Sequence, residues 1–148
     1  MNFTTELDDQ FSKGLSKVIS ELKSYKEESS IWKINGDIKN SGGNLALHLV
    51  GNLNHFVGLI LGDIEYERDR PAEFATKDYP LKNLVQDLQD CIRRVSETLH
   101  KLEVSDLNQE YPLDVVRKMT TSQFLMHLLG HLNYHTGQIN YHRRLLDS

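Results

Sequence analysis

Hydrophobic residues recur at intervals of three and four along four long segments of the chain, the spacing that marks one face of an α-helix. These segments cover about residues 4–26, 44–64, 80–102 and 120–146. No segment reads convincingly as a β-strand, so the pattern predicts an all-α protein. The expected architecture is a four-helix bundle that takes residues 1–148 as one domain.

The ends of these segments carry recognisable helix signals. Asn44 is a candidate N-cap for the second helix, and Thr120 with Gln123 forms a capping box that opens the fourth. The connection before the second helix is rich in turn formers, and we expect Trp32 and Ile34 to pack it onto the end of the bundle.

The connection between the second and third helices is charged and too long for a tight turn. Its length allows the third helix to run parallel to the second. It contains Arg68-Asp-Arg-Pro-Ala-Glu-Phe74. The charged side chains of this stretch form either a solvated, salt-bridged loop or an anchor for a substrate.

The second helix has an unusually wide apolar arc, which predicts burial against more than one neighbour. One neighbour is the core, and the other could be a second copy of the chain. Gly51, Gly58 and Gly62 fall on one strip of this helix, where another backbone could come close.

Composition narrows the class of protein. With 148 residues, 39% of them hydrophobic, the chain suits one globular domain with a sizeable core. A net charge of −4 argues against nucleic acid as a partner. Cys91 is the single cysteine, so no internal disulfide forms, and no secretory signal or membrane-spanning run is recognisable. We therefore expect a cytoplasmic protein with no membrane partner.

The candidate chemistry lies in the fourth helix, where His127, His131 and His135 follow one another at four-residue intervals. Residues four apart stack on one helix face, so His131 and His135 can point at one atom, the spacing of a transition-metal half-site. Two imidazoles that face a core need a partner, either a metal ion or a hydrogen bond. His127 falls further round, towards the flank.

A third ligand is available from the second helix, where His48 and His55 lie at the rim of the apolar face. Either could complete the site, and either could instead make hydrogen bonds at a helix interface. Glu97 and His100 in the third helix form the ExxH spacing of di-iron bundles, but that architecture needs a second such motif and further inward glutamates, so we discount it.

Three imidazoles around one divalent ion leave a coordination position open, which is typical of a catalytic site. Such an ion can lower the pKa of bound water towards about 7 or bind a thiol as its thiolate. Zinc and nickel both suit an imidazole-rich site.

Three stretches together resemble the DinB/YfiT-like family, and the resemblance covers nearly the whole chain. They are His48-Leu-Val-Gly-Asn-Leu-Asn-His55, Arg68-Asp-Arg-Pro-Ala-Glu-Phe74 and His131-Leu-Asn-Tyr-His-Thr-Gly-Gln-Ile-Asn-Tyr-His-Arg-Arg144. The resemblance implies a four-helix bundle in up-down-down-up order. It also implies a divalent metal held by His48, His131 and His135, and homodimers are common in the family.

Members of that family include metal-dependent hydrolases and transferases that use low-molecular-weight thiols. The fourth helix carries no carboxylate on its metal face to serve a hydrolase as general base, which favours thiol transfer. The leading hypothesis is therefore a mononuclear metalloenzyme that acts on a small molecule, with its substrate unassigned. The alternatives are a non-catalytic, dimeric metal-binding or stress-associated protein, and a bundle whose histidines are paired by hydrogen bonds without metal.

Overall fold

Four long amphipathic helices form the framework of the protein, which a computed structural model describes over residues 2–147. In chain order the α-helices are α1 (Phe3–Lys23), α2 (Gly42–Leu53), α3 (Arg70–Ala75), α4 (Leu81–Lys101), α5 (Val104–Asn108) and α6 (Thr121–Leu146). A short 3₁₀ helix, Glu28–Trp32, precedes α2. The predicted all-α class is confirmed, since these residues contain isolated β-bridges but no strand.

The four long helices pack as a bundle in up-down-down-up order, as expected. α1 packs against α4 and α6, and α2 also packs against α4 and α6. The first and third connections therefore join helices that lie diagonally across an end of the bundle, whereas the second joins the neighbouring, parallel helices α2 and α4 and runs back along the bundle. This arrangement places α2 beside α6, the two helices that carry the candidate histidines.

Two short helices within the connections were not anticipated. α3 is capped by Asp69, whose side chain accepts a hydrogen bond from the Ala72 amide, and α5 is closed by a capping box of Glu103 and Asp106. With six and five residues, both are too short to show a helical period in the sequence.

The start of α2 differs from the prediction. Ser41, rather than Asn44, is the N-cap, and its hydroxyl accepts the Asn44 amide hydrogen at 3.1 Å. The Asn44 side chain is buried and donates to the carbonyls of Glu73 and Thr76, at 2.9 and 2.7 Å. Asn44 thereby fastens α3 to α2 instead of capping a helix. The Thr120–Gln123 capping box at the start of α6 is confirmed.

The second helix does not continue as a regular α-helix to Ile64. After Leu53 it widens into a π-helix, Asn54–Leu59. A π-helical turn inserts an extra residue and rotates the following side chains around the axis, and such turns are frequent at functional sites. His55 lies within this π-helix, seven residues after His48.

The glycine strip of the second helix faces other parts of the same chain. A methyl group at Gly51 would overlap the Glu73 carboxylate, and one at Gly62 would overlap the Thr98 hydroxyl. The strip thus allows α3 and α4 to approach closely. It leaves no strip for a second copy, so homodimer formation stays a prediction that would need another surface.

One hydrophobic core joins the four long helices. Trp32 belongs to this core, as expected, whereas Ile34 is more than half exposed and does not pack as predicted. Cys91 is buried, and its burial raises the pKa of the thiol to about 12, so it is chemically inert at neutral pH. Across residues 2–147, no helix combines the length and apolar content needed to cross a membrane.

A buried hydrogen-bond relay ties the end of α6 to the first connection. His142 Nε2 lies 2.8 Å from the Lys33 carbonyl oxygen, so this nitrogen carries the hydrogen and donates it. His142 Nδ1 therefore accepts from the Tyr25 hydroxyl, at 2.7 Å. His142 has a structural role here, well apart from the other histidines of α6.

Replacing Tyr25 by phenylalanine should test this relay. The change leaves the buried Nδ1 of His142 without a donor, which costs about 1–3 kcal/mol in the free energy of unfolding. Urea denaturation would measure the loss, with Tyr141→Phe as the control because Tyr141 lies exposed on α6. Equal stability of the two variants would contradict a stabilising relay.

Candidate metal centre

The histidines that the sequence singled out meet between α2 and α6. His131 and His135 lie one turn apart on α6, and their Nε2 atoms are 3.0 Å apart. His48, from α2, places its Nε2 atom 3.2 Å from Nε2 of His131. One ligand atom from each of the three residues lies within 4.8 Å of the others, so a single ion can contact all three.

Side chains behind His48 and His135 set which nitrogen of each ring faces the centre. His48 Nδ1 lies 3.0 Å from Glu73 Oε1, and His135 Nδ1 lies 2.6 Å from Gln138 Oε1. Both oxygens accept, so each Nδ1 carries the hydrogen and each Nε2 presents its lone pair. Such partners fix the tautomer and ring orientation of metal-binding histidines. This donor set fits a divalent ion.

The carboxylate behind His48 is itself held in place. Arg68 donates from Nε to Glu73 Oε2 at 2.9 Å and from Nη2 to Oε1 at 3.0 Å, a bidentate pair. Burial opposes ionisation of Glu73, but the hydrogen bonds from His48 and Arg68 outweigh it and lower the pKa of this carboxyl. Glu73 is therefore an anion that orients His48, and its oxygens are engaged.

Glycine at position 51 is required by this arrangement. Gly51 lies three residues after His48 on the same helix, and the Glu73 carboxylate rests against its Cα. Any side chain there would push the carboxylate away from His48. Glu73 of the short helix α3 can reach His48 only because α2 carries no side chain at position 51.

His131 and His135 are uncharged at neutral pH. Burial lowers the pKa of His131 to about 4, and repulsion from His135 and His48 adds to the effect. Burial also lowers the pKa of His135, although its hydrogen bond to Gln138 acts in the opposite direction. Neutral imidazole is the form that binds a metal ion, so these two residues can bind one without losing protons.

These lowered pKa values predict how the stability of the metal-free protein depends on pH. In the unfolded chain His131 takes up a proton below about pH 6.5, whereas in the folded protein it stays neutral down to about pH 4. Its stabilising contribution is therefore full above pH 6.5 and is lost as the pH falls to about 4. Thermal unfolding of chelator-treated protein should show a lower Tm at pH 5 than at pH 7. His131→Gln should flatten this slope, and an unchanged slope would contradict the assignment.

A pocket of about 310 Å³ opens beside two of the three histidines. Its lining combines two of them with apolar side chains, two arginines and an amide: His48, Asn52, Phe56, Arg68, Arg70, Val115, Phe124, His127, Leu128 and His131. Val115 comes from the connection before α6 and closes one side. The described lining residues include no carboxylate.

The other residues considered lie outside the three-histidine cluster. His127 is exposed, stacks on Phe124 and lines the pocket, but it does not join the cluster. The cluster also excludes His55, whose buried Nδ1 has no partner among the described residues. His100 of the discounted ExxH motif is exposed and lies 3.2 Å from Asp8. Tyr134 is largely exposed and packs edge-on against His135.

Sequence reasoning missed the pair of Glu73 and Arg68. Both residues lie in the charged connection, where surface exposure was one of two expectations, yet both side chains are nearly buried. A single signal was available, namely the bare strip at Gly51, but it was interpreted as a place for a second copy. The charge pair could be found only once the path of the connection over α2 was known.

Comparison with known proteins agrees with the fold and shows the family of the chain. A solved structure of a conserved protein from Enterococcus faecalis superposes with a TM-score of 0.78 over 99% of this chain and 98% of that one, at 15% sequence identity. This likeness concerns the fold alone. No curated protein sequence matches the chain at a significant level. The sequence profile of the DinB family matches residues 33–146, which include all three clustered histidines, and the chain therefore belongs to the DinB family.

Proposed function

We propose that this protein is a divalent-metal-dependent enzyme in which His48, His131 and His135 hold the ion and leave one position open to a small molecule. The observation that carries the proposal is the convergence of the Nε2 atoms of these three histidines beside a pocket. A structural site would use four protein ligands, whereas the cluster found among residues 2–147 has three. Zinc and nickel suit this donor set best.

Thiol-dependent S-transfer is the reaction that fits this pocket best, with hydrolysis as the other possibility. A bound divalent ion would supply Lewis acidity, which favours the thiolate form of a substrate thiol. The pocket lining offers no carboxylate to activate water, and the oxygens of Glu73 are engaged by Arg68 and His48. Apart from the clustered histidines, His127 is the lining residue that can accept a proton from an incoming thiol.

Metal removal should separate this proposal from its rivals. Chelator-treated protein is expected to lose turnover in transfer of small thiols to an aryl electrophile, while its circular dichroism spectrum is retained. Zinc or nickel should restore turnover. A non-catalytic protein with a structural ion would instead show a large fall in Tm without any turnover to lose. Absence of zinc and nickel binding in equilibrium dialysis would refute the metal site altogether.

A further inference from the structure

The pocket beside the histidines is strongly biased in charge, although the chain as a whole is acidic, with a net charge of −4. Two guanidinium groups line it, from Arg68 and Arg70, and no acidic side chain does. Arg68 donates hydrogen bonds from Nε and Nη2 to Glu73, so that carboxylate balances its charge. Arg70 has no ion-pair partner within residues 2–147, and its charge is therefore available to a ligand.

Arg70 is held at the pocket by stacking. Its Cζ atom lies 5.3 Å from the centre of the Phe74 ring, and the Phe74 ring lies 4.9 Å from that of His48. The guanidinium thus contacts the Phe74 ring, and that ring lies at a tilt of 38° against the imidazole of His48. Arg70 lines the same pocket as His48 and His131, so one small molecule there can contact both the cation and the metal centre.

A buried amide in the lining also lacks a partner. Asn52 lies one turn after His48 on α2 and is only 7% exposed. Its Oδ1 atom has no hydrogen-bond partner among the described residues. An amide oxygen accepts hydrogen bonds, so this atom calls for a donor on the ligand, such as a hydroxyl or thiol group, and not for an anion.

The rest of the lining limits the size and polarity of such a ligand. Phe56, Phe124, Leu128 and Val115 provide apolar walls. A volume of about 310 Å³ is near the lower end for small-molecule sites, about 300–1,000 Å³. A short hydrocarbon chain with one charged end fits these walls, whereas a nucleotide or a large conjugate does not.

We propose that this pocket selects a small anionic substrate, in which a carboxylate or phosphate on a short apolar chain pairs with Arg70 while the other end reaches the three histidines. Arg70 is then a binding residue that sets specificity, and the Asn52 side-chain amide, which lines the same pocket, reports whether a ligand is bound. The inference rests on the proposed function, because it assigns the charge of the substrate of that same site.

The test is a nuclear magnetic resonance titration of ¹⁵N-labelled protein after incubation with zinc, with zinc content measured on the same sample. The ligands are butyrate, propyl phosphate and the uncharged butan-1-ol. One of the anions is expected to shift the Asn52 side-chain amide signals saturably, and butan-1-ol is expected not to. Whichever anion binds more tightly identifies the group.

Arg70→Gln is expected to weaken binding of the preferred anion by about tenfold or more, because a charge-assisted hydrogen bond is lost. Arg144→Gln is the matched control, since Arg144 also stacks on an aromatic ring, that of Tyr141, but lies outside the pocket lining. It should bind the anion as the parent does. Because Arg70 is exposed, its replacement is expected to leave the fold and the spectrum intact.

Two results would overturn the inference. One is binding of butan-1-ol as tight as that of either anion. The other is anion binding that survives Arg70→Gln undiminished, which would place the anion on the metal alone. A sample without zinc would instead refute the proposed function, and the dependence of anion binding on Arg70 would still decide the charge selectivity of the pocket.

Discussion

Replacement of His131 by alanine is expected to reduce bound zinc or nickel from about one ion per chain to almost none. His131 occupies the middle of the cluster, with its Nε2 atom 3.2 Å from that of His48 and 3.0 Å from that of His135. Without it, the two outer imidazoles remain on different helices. Loss of an outer-shell partner alone costs 10–100-fold in metal affinity, so loss of this ligand should cost more than about 100-fold.

His48→Ala should lose the metal in the same way, and His127→Ala provides the matched control. His127 lies on the same helix as His131, one turn earlier, but is exposed and outside the cluster. Elemental mass spectrometry on untagged proteins, incubated with either metal and dialysed, would measure the content. Metal retained in His48→Ala but lost in His131→Ala would contradict the assignment and point to His55 or His127 as the third ligand.

The histidine set illustrates what a helical period can predict. His131 and His135 follow from spacing alone, because residues four apart in a helix share a face whatever the rest of the chain does. The choice of His48 over His55 does not follow from spacing. Both lie at the rim of the apolar face, about two helical turns apart, and only His48 lies level with His131. The position of α2 along α6 is a tertiary feature that periodicity does not reveal.

The parts of the fold that could be predicted are those set by helix-capping residues and by hydrophobic periodicity over several turns. The capping box at Thr120 and the apolar stripes of α1 and α4 depend on neighbours within a few residues, so they are visible in the sequence. Asn44 shows the limit of such reasoning. Its side chain is suited to an N-cap, yet Ser41 takes that role and Asn44 binds the carbonyls of Glu73 and Thr76. Those contacts link residues about thirty positions apart, and a local signal cannot reveal them.

The ion pair of Glu73 and Arg68 was hidden for the same reason, although it governs the orientation of His48. Its side chains are only 7% and 11% exposed, in a connection whose composition resembles that of a solvated loop. Burial here results from the position of α3 over Gly51, a tertiary feature. The charge of the connection was visible in the sequence, but its function was not.

Glu73→Gln is expected to weaken metal binding by about 10–100-fold, even though Glu73 is not itself a member of the histidine cluster. The neutral amide keeps the size of the side chain but removes the charge that orients His48 and raises the basicity of its Nε2. Arg68 then remains charged and nearly buried without its partner, so the free energy of unfolding should fall by about 3 kcal/mol. Competition with a chromophoric chelator and urea denaturation would measure the two effects.

Glu21→Gln separates the effect on the metal from a general loss of stability. Glu21 pairs with Arg143 Nε at 2.9 Å, the same distance as the Arg68 Nε–Glu73 contact, but lies outside the metal-site pocket. Its replacement should lower stability and leave metal affinity unchanged. Gly51→Ala displaces the Glu73 carboxylate without changing its charge, because the added methyl group would overlap it. Alanine otherwise stabilises the helix by about 0.5–1 kcal/mol relative to glycine. Weaker metal binding in Glu73→Gln and Gly51→Ala, but not in Glu21→Gln, would assign the effect to the orientation of His48, and equal weakening in all three would reject it.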